Sequence, residues 1–108
     1  MDNTETNPVS ELDSKRIKKE FAERLNEALD DMKVLPKYKG RQHIVAKLIG
    51  VTPKGAARWL EGKGLPRPMD QVRLASKVRV RVEWLMFNLG PKREGGQKSN
   101  TLLLQNII

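Results

Sequence analysis

Four residues within seven positions, Thr52, Lys54, Gly55 and Arg58, have types and spacing suited to reading a nucleic-acid base. On a helix, Lys54 and Arg58 lie four apart and share a face. Arg58 carries a planar fork that matches O6 and N7 of guanine, and Lys54 can reach the same edge. Gly55 has no side chain, so the backbone there can approach closely, for instance at a thymine methyl. Lys37, Lys39, Arg41 and Lys63 flank this group. Cations so placed suit phosphates, which position a protein on a duplex without specifying sequence. His43 is the only histidine, and it reads as a surface residue near a phosphate. No Cys or carboxylate cluster accompanies it in sequence, so the ligand count of a metal site is not met. Tyr38 is open between a phosphate contact and an incidental aromatic.

Other chemistries find little support. The chain has no cysteine, which rules out disulfides, thiolate nucleophiles and Cys-based metal sites. There is no Ser-His-Asp pattern beyond a single His, no Gly-rich phosphate loop ahead of a helix, and no carboxylate pair in an apolar pocket. Serine with lysine can in principle form a dyad, but no pattern places Ser10, Ser14, Ser76 or Ser99 in a cleft. The expectation is no enzyme, no cofactor, no metal and no small-molecule substrate.

Charge points the same way. The formal net charge of the 108 residues is +8, and basic proteins commonly meet polyanions. Residues 1–36 have a net charge of −3, residues 37–67 of +7 and residues 68–108 of +4. A merely solubilising charge has no reason to concentrate in the central third. No apolar run approaches the roughly 20 residues needed to span a membrane. The polar start, with Asp2 and Glu5, does not read as a signal peptide. The expectation is a soluble, cytoplasmic protein without a membrane partner.

The elements that must position these residues follow from periodicity. Ile17, Phe21, Leu25, Ala28, Leu29 and Met32 recur at helical steps and predict a helix over 15–32. Glu20, Glu23, Arg24 and Glu27 would then face water. Ser10 and Asp13 have capping-box spacing, and Asp13 or Ser14 would start that helix. Leu35-Pro36 ends it. A second helix, from Arg41 or Gln42 to Ile49, presents Val45, Ala46, Leu48 and Ile49 to a core. Gly50 supplies a positive φ at the turn. Thr52 caps a third helix, Pro53 is its first residue, and Gly62 is its left-handed stop. Ala46 is small where the third helix crosses. Val51, Ala56 and Trp59 point inward, which leaves Thr52, Lys54, Gly55, Arg58 and Glu61 outward. A fourth helix over 69–78 is expected to bury Val72, Leu74, Ala75 and Val78. A fifth over 83–89 is expected to bury Trp84, Leu85 and Phe87. Trp59 and Trp84 both read as core. Residues 77–83 alternate apolar and charged, but a lone strand has no partner, which favours a tight turn.

The ordered series Gln42, Ala46, Gly50-Val51, Trp59-Leu60-Glu61-Gly62, Pro66-Arg67, Leu74-Ala75, Val80, Glu83-Trp84-Leu85 and Gly90-Pro91 resembles the Cro/CI-type (Xre-like) helix-turn-helix repressors of temperate phages and their bacterial relatives. The resemblance spans residues 16–91. It implies an all-α, five-helix domain of the lambda-repressor-like type that binds double-stranded operator DNA as a homodimer. It also implies base reading by Thr52, Lys54, Gly55 and Arg58, a phosphate contact at Gln42, and backbone contacts at Lys63 and Arg67. Two positions depart from the pattern: Arg79 stands where the family usually has Gly, and Arg81 where it often has Ser or another cap.

The expected organisation is a flexible lead over 1–13, the DNA-binding domain over 14–90, and a linker with an apolar tail over 91–108. The tail, residues 101–108, is open between a dimerising strand, an extra helical turn and the start of a longer segment. Residues 91–108 are too short for the self-cleaving domain that CI repressors carry. That leaves a short Cro-like regulator or the DNA-binding part of a longer protein. The expected function is sequence-specific regulation of transcription through the major groove. The alternative is an antitoxin-like protein-interaction module on the same fold.

Overall fold

Phe21, Leu25, Ala28 and Leu29 are fully buried and form one wall of a single apolar core. They belong to α1, Asn3–Asp31, the first of five helices among the described residues of a computed structural model. The structure describes the backbone of residues 3–34 and 40–94, and the side chains of 11–34 and 40–94. The others are α2 (Arg41–Ile49), α3 (Pro53–Leu60), α4 (Pro68–Lys77) and α5 (Val82–Phe87). The described residues hold no strand, so the alternating stretch at 77–83 is a tight turn, as expected. No described helix is long and apolar enough to cross a membrane.

α1 extends well beyond the start expected near residue 15. Ser10 and Asp13, read as a capping box, lie inside it, and residues 3–13, read as a flexible lead, are helical. Propagating a helix costs far less than nucleating one, and Glu11, Leu12, Lys15 and Arg16 are good helix formers. Leu12 and Ile17 are exposed, so the buried face begins at Phe21 rather than Ile17.

Two further core expectations fail for angular reasons. α4 buries Leu74 and Ala75 with Val78 just beyond, whereas Val72 is 59% exposed. At 3.6 residues per turn, Val72 lies roughly 110° from the middle of that stripe. α5 buries Trp84, Leu85 and Met86 and leaves Phe87 64% exposed. Phe87 falls roughly 160° from the middle of its arc.

α1 packs on α3 and α5, α2 on α3 and α4, and α4 on α5. Four helices end with the same device. An N–H bonds back five residues across a left-handed residue, in the pairs Val34 to Leu29, Val51 to Ala46, Lys63 to Arg58 and Val80 to Ala75. The left-handed residues are Lys33, Gly50, Gly62 and Arg79. This is the Schellman stop, where glycine is the unstrained choice. Arg79, with φ +62°, therefore occupies a position that demands what Gly supplies freely. Gly62 has a second reason to be glycine, because a Cβ there would lie 3.2 Å from the Lys19 Cα of α1.

Side chains from other elements take up further helix-end carbonyls. Arg24 donates to the Leu85 carbonyl at 2.8 Å and the Met86 carbonyl at 3.2 Å. Burial pushes its guanidinium below the ordinary arginine range. Asn26 donates to Leu60 at 3.1 Å, and Arg73 donates to Ile49 at 3.2 Å. Arg24 was expected in water and instead joins α1 to α5.

Residues 91–94, expected to open a polar linker, lie against the domain. The Arg81 N–H donates to the Lys92 carbonyl at 2.9 Å. Lys92 sits 5.2 Å from the centre of the Trp84 ring and donates to Glu27 at 2.6 Å and to Asp31. Arg93 donates to Asp31 and to the Arg79 carbonyl, each at 3.0 Å.

Candidate nucleic-acid interface

The α2–α3 unit is held from its turn outward. Gly50, at φ +88°, closes α2, and both its N–H and that of Val51 reach the Ala46 carbonyl, at 2.7 and 3.1 Å. Thr52 then starts α3 in extended geometry. Its hydroxyl accepts the Gly55 N–H at 3.0 Å, and Pro53 follows at the first helical position. Arg73, reaching from α4 to the Ile49 carbonyl, ties the end of α2 to the next layer. Ala46 and Ala56 are buried, and Trp59 and Leu60 seat α3 on the core.

This seating leaves Thr52, Lys54, Arg58 and Glu61 exposed and Gly55 half-buried. A Cβ on Gly55 would come within 3.2 Å of the Thr52 hydroxyl. Glycine there keeps the cap uncrowded, which adds to the close backbone approach argued from sequence.

Neither α2 nor α3 has an acidic residue in its first turn, whereas α4 has Asp70 and α5 has Glu83. Acids at helix N-termini are stabilising. Where they are missing, the free N–H groups and the positive end of the dipole favour an external anion. Among α2 to α5, the two helices that carry the candidate residues are therefore the two without an acidic residue in the first turn.

Arg58 is exposed but tied. Its Nη2 donates to the Lys63 carbonyl at 2.8 Å, and the Lys63 N–H returns a bond to the Arg58 carbonyl at 2.8 Å. Lys63 is exposed and lies 3.4 Å from Glu61. Arg67 is exposed at the N-cap of α4, without a side-chain cap bond. His43 is exposed and Gln42 is half-buried, both in α2. Lys54 and Arg67 make no hydrogen bond or ion pair among the described residues. Lys37 and Lys39 lie outside the described residues, as does the apolar tail.

Arg41 corrects the sequence reading. Expected on a phosphate, it is 1% exposed and is among the largest fully buried side chains of the described residues. Its Nη1 donates to Asn26 Oδ1 at 2.9 Å, and its Nη2 to Asp30 at 2.7 Å and to the Val34 carbonyl at 3.1 Å. A guanidinium presents five donors in a fixed fork. Here that fork gathers the end of α1 onto the start of α2, and none of it faces a ligand.

Three residues that bear on the site were not singled out from sequence. Lys47 is exposed on α2, four residues after His43, a spacing that places the two on one helical face. Arg73 fixes the end of α2 from 24 residues away, and no local pattern announces such a bond. Gly64 is buried beside the Nε–Nη2 edge of the Arg58 guanidinium. Compared with known proteins, the chain matches no family model, no curated protein and no solved structure.

Proposed function

We propose that this protein is a sequence-specific DNA-binding regulator of transcription, Cro/CI-like in fold and in use of a helix-turn-helix. The observation that carries the reading is the outer face of α3. Thr52, Lys54, Gly55 and Arg58 occupy it, on a helix with no acidic residue. A helix of this kind fits the major groove, about 12 Å wide in B-DNA. Arg58 reads guanine, and Lys54 reads the adjacent edge. Thr52 and Gly55 bring the start of α3 close to the bases. Gln42, His43, Lys63 and Arg67, joined by Lys47, hold the flanking phosphates. The lambda-repressor-like arrangement is the five-helix order with α2 and α3 as the reading unit.

Such modules read two half-sites one helical turn apart, or a multiple of it, as homodimers. Phe87 and Leu89, both exposed at the end of α5, offer apolar surface for pairing two copies. The same surface favours a second reading, an antitoxin-like module covered by a different protein. A stable heteromer recovered from the native host, with a monomer when the chain is expressed alone, would select it. The regulator reading places the protein in the cytoplasm with DNA.

The test is selection from a randomised duplex pool at near-physiological salt, with Arg58→Ala run beside the parent. The expected outcome is a two-fold symmetric site for the parent. The variant should lose about 1–3 kcal/mol and show relaxed preference at one base pair per half-site. Salt-sensitive binding to any duplex without enrichment would overturn the reading.

A further inference from the structure

Gly64, buried in the α3–α4 loop, lies against a candidate reading side chain. A Cβ built on it would lie 3.1 Å from Arg58 Nη2, 3.2 Å from Nε and 3.5 Å from Cζ. Cζ is the farthest of the three, so Gly64 abuts the Nε–Nη2 edge of the fork rather than its flat face. Its φ lies outside the left-handed range, unlike that of Gly62 two residues earlier. The backbone at 64 therefore tolerates alanine, and what a methyl would displace is Arg58.

We infer that Gly64 is a positioning residue for base recognition: with the Lys63 carbonyl, it holds the Arg58 guanidinium in a bound-like orientation before DNA arrives. The inference rests on the reading of Arg58 as a base-contacting residue. The hydrogen bonds support it. Arg58 and Lys63 exchange a pair of bonds, each 2.8 Å, one from side chain to backbone and one between backbones. The side-chain bond uses one of the two hydrogens on Nη2. The second, with both on Nη1, leaves a two-pronged edge for guanine O6 and N7. A free arginine loses considerable rotamer freedom when it is fixed at an interface. Here much of that loss occurs on folding, so less is charged to binding.

The experiment is a double-mutant cycle of Gly64→Ala and Arg58→Ala on the selected duplex, repeated with 7-deazaguanine at the guanine assigned to Arg58. Gly64→Ala is expected to weaken binding to the selected site about fivefold. It should flatten the preference at that base pair, reduce the penalty of 7-deazaguanine and leave the salt slope unchanged, since no phosphate contact is lost. In the Arg58→Ala background the same substitution should do nothing. Parent-like binding by Gly64→Ala, or an equal loss in both backgrounds, would overturn the inference while leaving the reading of Arg58 intact. An Arg58→Ala protein that keeps the parent's preference at every base pair would instead remove the reading itself. A second measurement covers a Gly64→Ala chain that fails to fold. Side-chain ¹⁵N relaxation of Arg58 in the free parent protein should report a rigid Nε–H. Motion like that of a freely solvated arginine would also overturn the inference.

Discussion

The outer face of α3 and the seam where α1, α5 and residues 91–94 meet are both rich in cations, and they use them oppositely. At the seam, Arg24, Lys92 and Arg93 each reach a carbonyl or carboxylate of another element. The nearby Arg41 is buried completely in the same kind of role. On α3, Lys54 has no partner among the described residues, and Arg58 bonds only to the loop that follows its own helix. The net charge of a stretch thus mixes two populations. One has met anions and carbonyls of other elements within the fold, and the other has not. Only the second is available to a ligand.

The largest effect that separates these populations is expected at Arg41. Arg41→Ala leaves Asn26 Oδ1 and the Val34 carbonyl without their donor and removes the partner of Asp30. A loss of about 3 kcal/mol in stability is expected by chemical denaturation. Arg58→Ala, on the exposed face, should stay within about 0.5 kcal/mol of the parent while it loses site preference. Equal stability losses at the two arginines would collapse the distinction between structural and free cations.

Arg79 sharpens the comparison from a third place. Its side chain is exposed, its carbonyl accepts from Arg93, and its backbone sits at φ +62°. Arg79→Gly removes a free cation that lies off α3 and relieves left-handed strain in one step. Stability should rise by about 1 kcal/mol, with the Arg93 bond kept. Affinity for the selected duplex should change by no more than the loss of one long-range charge. A large loss of specific binding would show that the free cations of the α4–α5 turn belong to the interface.

How much of this was legible in sequence depends on the range of the interactions involved. The α2–α3 unit was read well, because its signals are local. Gly50, Thr52, Pro53 and Gly62 act within one turn of themselves, and each does what its type implies. The Arg79 departure was visible as a residue where the resembling family has Gly, and the structure gives its physical meaning as a left-handed stop. Arg41 was misread because its partners Asn26 and Asp30 lie 15 and 11 residues away, across a helix boundary. Gly64 was not visible, because nothing in its neighbours shows that the edge of Arg58 would come to rest against it. The docking of residues 91–94 joins Asp31 to Arg93 across 62 positions. In sequence it was indistinguishable from a polar linker.

The smallest expected effect lies at that seam and is one of pH. Hydrogen bonds from Lys92, then Arg93, hold the Asp31 carboxyl below its ordinary value of 3.8. For Lys92, burial pulls the ammonium down, but hydrogen bonds to Asp31 and Glu27 outweigh it and leave the group above its ordinary 10.5. A carboxylate whose folded value is depressed stabilises the fold above the ordinary value. That contribution is lost as pH falls through the folded one. A raised ammonium stabilises below its ordinary value, and its contribution is lost as pH rises through the folded one. The seam should therefore be insensitive between roughly pH 5 and 9 and weaken at both ends. Asp31→Asn should lower the melting temperature slightly at neutral pH, since exposed pairs contribute little. The parent and variant curves should converge as pH drops through the acid limb. Hydrogen exchange at the Arg81 N–H, which donates to the Lys92 carbonyl, would report release of the segment before global unfolding. Curves that stay parallel through the acid limb would mean that Asp31 does not hold the segment. The seam's cations would then be as free as those of α3.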